Sequence, residues 1–389
     1  MMNLRIIDPE TMLPVSAPNK FASFIWTIRI VEEGEFEFCT TVNDEITKEF
    51  KIGWFLFCDR FYNIATDTAA LMIIKSWEIS SDAEEGKKFI VRGKDLKDIL
   101  NRRIVWGRVN FPVNSDCKDI ITTLLNDNLV NPKDWTRTYQ DGDGGTITQT
   151  VLGSDRKIDN FVIIQNEDEF PKTTGEVQYE NETLYEVITG LCNNYKFGFS
   201  ILYNFTTGKF EFRFLLYNYK TYDQAVNPPV IFSPQYQNLR NSNYIESSEK
   251  EKTVGLVTGE GDEYNAMYAV VGSGTGLNRK EVGISGSDVS RTKEDGTEYG
   301  NRSYINMLLE KGNQELNKQK YVKTFEGTAE VTRNFNYPDD YNIGDVVEIV
   351  NEWGISSGVL ISEVVMSVDT SGSSIIPTFA NIDEENDDI

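Results

Sequence analysis

Short runs of β-branched and aromatic residues follow one another along the first quarter of the chain, and this pattern constrains the fold more than any other feature. Val, Ile, Phe, Trp and Thr are the residues that fit a pleated, half-buried surface. Turn chemistry such as Glu33-Gly34 and Asn43-Asp44 separates the runs. The runs cover residues 21–31, 35–42, 51–58, 71–80 and 87–91. The pattern predicts an antiparallel sheet or a small barrel.

A helical spacing begins where these strands end. Within Gly93-Lys94-Asp95-Leu96-Lys97-Asp98-Ile99-Leu100, the apolar residues Leu96, Ile99 and Leu100 recur at helical intervals. Apolar residues at such intervals share one face of a helix. The segment therefore predicts a short helix that closes the first domain.

Three longer helices and a second set of strands are predicted further along the chain. One helix is capped by Ser115-Asp116 and extends to about Asp127, a second spans about Glu182 to Asn194, and a third spans about Ser303 to Gln319. Thr206-Thr207-Gly208 is typical of a hairpin turn. The remaining strand patterns lie at 197–205, 209–217, 256–271, 324–332, 346–350, 357–368 and 373–378.

Three polar stretches interrupt this pattern. Residues 131–171 are rich in Gly and Asp and predict an inserted or accessory segment with long loops. Residues 272–300 are rich in Gly, Ser and charged residues and predict a linker or a surface loop. Residues 381–389 include five carboxylates, which is typical of a solvated chain end.

Length and composition indicate a folded protein of several domains. A chain of 389 residues exceeds one ordinary core, and domains of ~100–150 residues predict about two to four of them. Hydrophobic residues make up 39% and aromatic residues 12%, which is enough to fill packed cores. The formal net charge of -23 repels phosphate and anionic lipid head groups. We therefore expect no nucleic-acid recognition.

The sequence shows neither a secretory signal nor a membrane span. Residues 1–12 contain no continuous apolar core of signal-peptide length. The densest apolar run, Thr68 to Ile74, is of strand length and falls short of the ~20 apolar residues that cross a bilayer. We expect a protein that is made in the cytoplasm and has no membrane anchor.

The most informative chemical feature is that the chain contains no histidine. Neither a Ser-His-Asp triad nor a Cys-His pair can be built without it, and the commonest neutral metal ligand is missing. The four cysteines form no C-x-x-C pair, so they predict small buried side chains and neither a zinc site nor a redox pair. They are Cys39, Cys58, Cys117 and Cys192.

Carboxylate chemistry is the catalysis that remains possible. Paired acids can cleave glycosides, and oxygen ligands can hold a hard cation. With 61 acidic residues, however, chance pairings are certain, so residue type alone does not identify an active pair. The candidates by type are Glu182, Glu186, Asp339, Asp340 and Asp345.

Two glycine-rich loops resemble ligand sites but depart from the patterns. The loop Asp141-Gly142-Asp143-Gly144-Gly145 begins like a calcium loop, but Leu152 stands where an EF-hand needs Glu. The loop Gly272-Ser273-Gly274-Thr275-Gly276 follows a predicted strand, but a strand pattern comes after it in place of a helix. Both loops therefore predict tight turns, and we expect no metal and no cofactor.

A series of ordered markers begins in the first strands. Two of them are Phe24-Ile25-Trp26-Thr27-Ile28-Arg29 and Gly34-Glu35-Phe36-Glu37-Phe38, and a third is Lys88-Phe89-Ile90-Val91-Arg92-Gly93-Lys94-Asp95-Leu96, followed by Ile99-Leu100-Asn101-Arg102-Arg103. These markers resemble the phage tail proteins that form baseplate hubs, including the siphophage tail-tip proteins similar to them. The first two are similar to the opening strand pair of that family, and the third is the most similar part. In such proteins an apolar strand leads to a glycine, and a short helix packs its leucines beneath a barrel.

The later markers continue the resemblance in the same order. Thr183-Leu184-Tyr185-Glu186-Val187-Ile188 is similar to the middle helix of the family, and Arg279-Lys280-Glu281 to the Arg-x-Glu before its last domain. Asp339 to Val347 and Pro377-Thr378-Phe379 resemble its C-terminal signature, in which Gly344-Asp345 is expected to start a strand. The marker positions are Trp26, Gly34, Gly93, Asp95, Leu96, Leu100, Arg102, Leu184, Arg279, Glu281, Asp340, Tyr341, Gly344, Asp345, Pro377 and Phe379.

The resemblance implies a mainly β fold with α+β insertions, containing two tube-like β-barrel domains and smaller accessory domains. The implied domains are a first barrel at 1–112, an accessory domain at 113–180, a second barrel-related domain at 181–272 and a C-terminal α+β domain with an acidic tail at 273–389. A homotrimer of such chains presents six similar units to a six-fold tail tube and three-fold symmetry to a spike or fibre.

This resemblance also implies the partners and the location of the protein. The expected partners are further copies of the chain, a tail tube or distal tail protein, a central spike or fibre protein and a tape measure protein. The expected location is the tail of a virion or of a phage-tail-like particle assembled in the bacterial cytoplasm. No catalytic residue is implied, and any activity against the cell wall is expected on another subunit.

Two other functions stay open beside this one. The first is a carboxylate-dependent glycoside hydrolase that acts on the cell wall. The second is a carbohydrate-binding or receptor-binding tail module, for which 18 Tyr and 6 Trp offer stacking surfaces. Most of these aromatic residues fall inside strand patterns, which favours packing in cores and interfaces.

Overall fold

The computed structural model describes residues 2–42, 46–82, 86–262, 265–293, 296–329, 334–370 and 372–382. The protein is mainly β, with 43% strand and 17% helix, which confirms the predicted class. Within these ranges no helix is long and apolar enough to span a bilayer. The predicted turn at Asn43-Asp44, residues 330–332 of the strand predicted at 324–332, and residues 383–389 of the acidic chain end lie outside the described residues.

The strands before the middle of the chain are β1 Leu4–Ile7, β2 Pro14–Ser16, β3 Ser23–Arg29, β4 Glu35–Thr41, β5 Phe55–Cys58, β6 Tyr62–Asn63, β7 Thr68–Ala69, β8 Met72–Asp82, β9 Gly86–Asp95, β10 Val109–Phe111, β11 Trp135–Gln140, β12 Thr146–Val151, β13 Phe161–Ile164 and β14 Val177–Tyr179. Those that follow are β15 Phe197–Asn204, β16 Lys209–Leu216, β17 Asn218–Tyr219, β18 Ile231–Phe232, β19 Leu239–Ser247, β20 Val254–Gly259, β21 Tyr268–Gly272, β22 Glu281–Gly286, β23 Val322–Ala329, β24 Asp345–Val350, β25 Ser356–Asp369 and β26 Gly372–Asn381.

The α-helices are α1 Ile46–Glu49, α2 Asp98–Asn101, α3 Cys117–Leu125, α4 Gly153–Arg156, α5 Leu184–Tyr195 and α6 Asn301–Asn317. The three longer predicted helices are confirmed as α3, α5 and α6. Asp116 caps α3 by accepting from the backbone N–H of Lys118. Thr183 and Glu186 form a reciprocal capping box at the start of α5, which explains why that helix begins where it does.

A 12-stranded sheet connects the beginning of the chain with its end. Its path runs β17-β24-β25-β3-β4-β9-β8-β5-β1-β2, with β18 beside β24 and β26 beside β25. The joining pair is β3 with β25, in which Phe24 lies opposite Val368 and Arg29 opposite Glu363. Strands from the first and the last predicted domain thus share one sheet.

One face of this sheet carries an aromatic core. Alternate residues of β3, β4 and β9 point to the same side, because successive side chains of a strand face opposite ways. Trp26 lies at the centre, stacked on Phe61 with ring centroids 5.5 Å apart, and Phe36, Phe38 and Phe89 are buried around it. The opposite face carries charges such as Arg92, which pairs with Glu37 at 2.7 Å.

A second sheet packs against helices α3 and α5. Its order is β13-β16-β15-β7-β6, and β15 and β16 form the hairpin predicted from residues 206–208. Leu124, Ile188, Phe199 and Phe212 are buried in the core between this sheet and the helices. The largest hydrophobic core of the described residues therefore lies in the middle of the chain.

Residues 272–300 are more than the predicted linker, because they contain β22. This strand pairs in parallel with β20, with Val257 opposite Ile284, and both side chains pack against α6. A strand does follow the loop at 272–276, as the sequence pattern indicated, and its positions alternate between buried and exposed. The linker prediction is therefore wrong for residues 281–286.

Residues 131–171 are likewise more ordered than predicted. They contain the hairpin β11–β12, the short helix α4 and β13. Threonines face each other across the hairpin, with Thr136 and Thr150 hydroxyl oxygens 3.1 Å apart and those of Thr138 and Thr148 3.3 Å apart. Thr has a high strand propensity although it is polar, so a polar composition hid two strands.

The short helix predicted from Gly93 is also displaced. Residues 93–95 continue strand β9, and only Asp98–Asn101 is helical. A side chain at residue 93 has no room, since a Cβ there would lie 2.1 Å from the carbonyl oxygen of Ile73. Gly93 therefore allows β8 and β9 to lie close together, and the helix begins at Asp98.

Within the described ranges, no sheet closes on itself as a barrel. The coarser fold class is confirmed, while the two tube-like barrels and the division at residues 112, 180 and 272 stay predictions.

Replacing Gly93 by alanine should destabilise the protein by ~1–3 kcal/mol, because the new methyl group would overlap backbone and ring atoms that cannot move apart cheaply. Its Cβ would also lie 2.4 Å from the Phe36 ring. Gly283→Ala is the matched control, because a Cβ at this strand position meets no atom within 4 Å. Urea unfolding measures both variants, and an equal stability for the two would contradict the close-contact role.

Candidate functional site

Most of the N-terminal marker positions meet at one place, which we name the central junction. It comprises the segment 29–35 between β3 and β4, residues 95–102, and the first turn of α5. Leu96, Leu100 and Leu184 are buried there in the core beneath the sheet. Their burial is observed, while the barrel that the resemblance places above these leucines stays a prediction.

Asp95 holds the turn of the central junction. Its carboxylate accepts from the backbone N–H of Gly34 at 2.9 Å and from that of Lys97 at 3.0 Å. Residue 34 has no room for a side chain, because a Cβ there would lie 2.5 Å from the carbonyl oxygen of Thr27. The pair Gly34 and Asp95 therefore fixes how the β3–β4 turn meets the end of β9.

Lys97 is the residue of the junction that sequence reasoning missed. Its buried ammonium donates to the carbonyl oxygens of Arg29 at 2.7 Å, Val31 at 3.2 Å and Glu32 at 3.0 Å. It also lies 4.6 Å from the centre of the Phe199 ring. Burial lowers the pKa of Lys97 from its ordinary value, and the Asp95 carboxylate partly offsets this. The sequence did contain a signal for this buried residue, because Lys97 stands between the marker positions Leu96 and Leu100.

Charged pairs surround this buried contact. Asp98 accepts from Lys75 at 2.8 Å and from Arg102 at 2.8 Å. Burial opposes the ionisation of Asp98, but these two hydrogen bonds hold its pKa below the usual value. Arg29 bridges Glu35 at 2.8 Å and Glu363 at 2.5 Å, so the junction reaches strand β25.

The C-terminal marker positions form a second cluster, the C-terminal turn, at residues 340–345. Gly344 adopts a φ of 89°, which glycine tolerates, and its N–H donates to Ile361. Asp345 accepts from the N–H of Asn342 at 2.7 Å and from Lys220 at 2.9 Å. As expected, strand β24 begins at Asp345.

Aromatic packing covers the C-terminal turn. Tyr341 is fully buried, and its ring centroid lies 5.7 Å from that of Phe232. Phe379 contacts the same ring at 5.3 Å, and the neighbouring Pro377 lies opposite Val364 in the β25–β26 pair. These positions fill a core and expose no reactive group.

Four marker positions lie outside both clusters, namely Trp26 in the aromatic core, Gly93 on β9, and the pair Arg279 and Glu281. Arg279 and Glu281 form an ion pair of 2.5 Å at the start of β22, with both side chains exposed. An exposed pair of this kind contributes ~0–1 kcal/mol. The structure therefore brings most markers into two structural clusters and leaves this pair at the surface.

Three of the five candidate acids accept hydrogen bonds from the backbone. Glu186 completes the capping box of α5, Asp345 accepts from the N–H of Asn342, and Asp340 accepts from the N–H of Asn336. Glu182 lines a cavity of about 310 Å³ whose other carboxylates are engaged. There Asp288 pairs with Lys311 at 2.8 Å, and Glu310 accepts from Tyr195 at 2.5 Å.

The candidate metal and phosphate loops are turns. Asp141 accepts from the N–H groups of Asp143 at 2.9 Å and Gly145 at 2.7 Å, which closes the β11–β12 hairpin. The loop at 272–276 leads through a short 3-10 turn into β22. Across the described ranges, no three Cys, Asp or Glu residues are placed to share a metal ion. The four cysteines are buried, as predicted.

The comparisons with known proteins agree with this geometry. The structure resembles a 43 kDa tail protein of prophage MuSo2 from Shewanella oneidensis, with a TM-score of 0.54, 12% identity, and coverage of 97% of this chain and 98% of that one. It also resembles a tail protein from Neisseria meningitidis MC58, with a TM-score of 0.50, 11% identity, and coverage of 97% and 96%. The fold is therefore that of prophage tail proteins.

Residues 3–381 match the family of siphovirus ReqiPepy6 Gp37-like proteins. Because this match spans most of the chain, the protein belongs to that family. The predicted resemblance to phage tail proteins is thereby confirmed. A comparison with curated proteins gave no match.

Replacing Lys97 by methionine should destabilise the protein by ~3–5 kcal/mol, because the carbonyl oxygens of residues 29, 31 and 32 lose their donor and Asp95 loses its counter-charge. Lys318→Met is the matched control. That lysine is 64% exposed and pairs with Glu315 at the surface of α6, so its loss should cost ~0–1 kcal/mol. Free energies of unfolding in urea compare the two, and similar losses would argue against the junction.

Proposed function

We propose that the protein is a structural hub of a phage tail tip or baseplate, acting as a homotrimer that joins a six-fold tail tube to a three-fold spike or fibre. The observation that carries this proposal is the end-to-end likeness to a prophage tail protein, which covers 97% of this chain and 98% of that chain. Membership of a siphovirus protein family supports it. The particle would be a virion or a phage-tail-like assembly.

The large sheet supplies an edge on which a second subunit could pair. β8 extends to Asp82, but β5 pairs only with Met72 and Ile73, and the next contact on that side joins Ile74 to Gly53 and Trp54. Beyond this point, no described strand covers the outer edge of β8. An uncovered strand edge is a template for pairing with another chain.

Apolar side chains mark the same edge. Trp77 is 44% exposed and Ile79 is 50% exposed, and they stand two residues apart on one side of β8. Large apolar side chains grouped at a surface are typical of contacts with partners. We assign this edge, residues 76–81, to a subunit contact in the tail.

The interior supports a structural role. The charged side chains of the central junction and of the C-terminal turn bind one another and the backbone, so they hold strands together. The tube or distal tail protein, the spike or fibre protein and the tape measure protein are the proposed partners outside the trimer.

The mass of the assembled protein tests the proposal. Size-exclusion chromatography with light scattering should give three times the chain mass of 44.3 kDa, either alone or after addition of tube and spike subunits. A monomer under both conditions would contradict the hub.

The edge of β8 can be tested in the same measurement. The double variant Trp77→Asp, Ile79→Asp should shift the assembly towards monomer, because charges would be buried at the contact. Leu277→Asp is the control, since Leu277 is 100% exposed on another element. If the double variant and the control assemble alike, the subunit contact lies elsewhere.

The absence of cell-wall cleavage is a separate expectation. A zymogram of the purified protein on bacterial cell walls should show no clearing, because the candidate acids Glu186, Asp340 and Asp345 already accept hydrogen bonds from the backbone. Clearing that disappears in Glu182→Gln would instead establish the hydrolase alternative, since Glu182 alone among the candidate acids lines a described cavity.

A further inference from the structure

A cleft at the edge of the large sheet has no role in the proposed hub. It lies where β17 runs beside β24, close to the start of β25, and its volume is about 400 Å³. This volume is within the range of small-molecule sites. The residues that carry the argument are Tyr219, Tyr222, Asp223, Glu348, Ser356 and Ser357.

Two tyrosine rings border this cleft. Tyr222 is 75% exposed and Tyr219 is 51% exposed, although tyrosine rings are usually half buried or more. Each ring offers a flat apolar face and a hydroxyl group at its tip. Such a pair is suited to a ligand that has both an apolar face and hydroxyl groups.

The loop that presents these rings is locked by its own side chains. The Gln224 amide donates to the carbonyl oxygens of Thr221 and Asn227, both at 2.8 Å. Its carbonyl oxygen accepts from the N–H groups of Val226 and Asn227, both at 2.8 Å. All hydrogen-bonding positions of the Gln224 amide are thus used within the loop.

Asn227 ties the same loop to β17. Its amide donates to the side-chain oxygen of Asn218 and to the carbonyl oxygen of Tyr219, both at 2.9 Å. A loop ordered in this way presents its side chains with little further cost in backbone entropy on binding. The backbone that carries the exposed rings is therefore fixed before any ligand arrives.

The polar lining of the cleft consists of acceptors and hydroxyl groups. Glu348 uses one carboxylate oxygen to accept from the N–H of Tyr222 at 3.1 Å. Asp223 has no ion-pair partner within the described residues, and Ser356 and Ser357 contribute hydroxyl groups. Carboxylates accept from hydroxyl donors, while serine both donates and accepts.

The charge of the residues that line the cleft limits the class of ligand that it can bind. Among the described residues that line the cleft none is Lys or Arg, while two are carboxylates. The protein as a whole has a net charge of -23, so anionic ligands are repelled. A neutral ligand with many hydroxyl groups and an apolar ring face fits this lining.

We propose that this cleft binds a neutral saccharide, whose ring stacks on Tyr222 and whose hydroxyl groups donate to Asp223 and Glu348. A tail protein with such a site would contact uncharged sugars of a cell surface. The inference stands on the cleft itself and does not depend on the hub assembly.

Saturation-transfer NMR with the full chain tests the site. The probes are glucose, galactose, N-acetylglucosamine and their disaccharides, with glucuronic acid as the anionic comparison. At least one neutral probe should receive saturation on its ring C–H protons, and titration should show that Tyr222→Ala weakens its binding about tenfold. Tyr236→Ala is the matched control, because Tyr236 is 54% exposed outside the cleft.

The outcomes separate cleanly. Transfer to a neutral sugar that is lost in Tyr222→Ala and kept in Tyr236→Ala supports the site. No transfer to any neutral probe at millimolar concentration overturns it. Equal binding by the two variants, or tighter binding of glucuronic acid, also overturns it. Circular dichroism confirms that both variants are folded, as expected for substitutions of exposed side chains.

Discussion

The buried carbonyl groups that follow β3 need hydrogen-bond donors, and the rest of the structure depends on this need. After Arg29 the chain leaves the sheet, and the carbonyl oxygens of residues 29, 31 and 32 point into a buried space. Unpaired, each would cost ~1–3 kcal/mol. Lys97 satisfies them together, because an ammonium has three donors and these are three acceptors. Asp95 supplies the opposite charge and binds the same turn.

Ile30, which lies between these acceptors, extends the constraint to the whole chain. The N–H of Ile30 donates to Ser362 in β25, and its carbonyl oxygen accepts from the N–H of Phe199 in β15. Gly198 allows this approach, because a Cβ there would lie 2.2 Å from the Ile30 side chain. One backbone unit thus connects the N-terminal strands, the C-terminal strands and the second sheet. A change in the turn would therefore disturb the contacts of all three.

Local sequence patterns predicted the helices and strands that depend on interactions between residues close in sequence. Helix α5 follows from its apolar spacing and its Thr183 and Glu186 capping box, and β24 follows from the Gly344-Asp345 turn. The pairing of β3 with β25 could not be predicted in this way, because a hydrogen-bond ladder between residues more than 300 apart leaves no periodic signal in either strand. Lys97 was missed because lysine is almost always exposed, and only the fold reveals three carbonyl groups around it.

The two proposed surfaces differ in what they require from the fold. The edge of β8 offers unpaired backbone, so a partner there would add a strand and gain from length and register. The cleft beside β17 offers side chains on a loop locked by Gln224, so a ligand there would gain from fixed geometry. Both surfaces belong to the same large sheet, at β8 and at its β17 end. A sheet that is joined to the rest of the fold at residues 29–35 can therefore present two different contacts, one at each of these places.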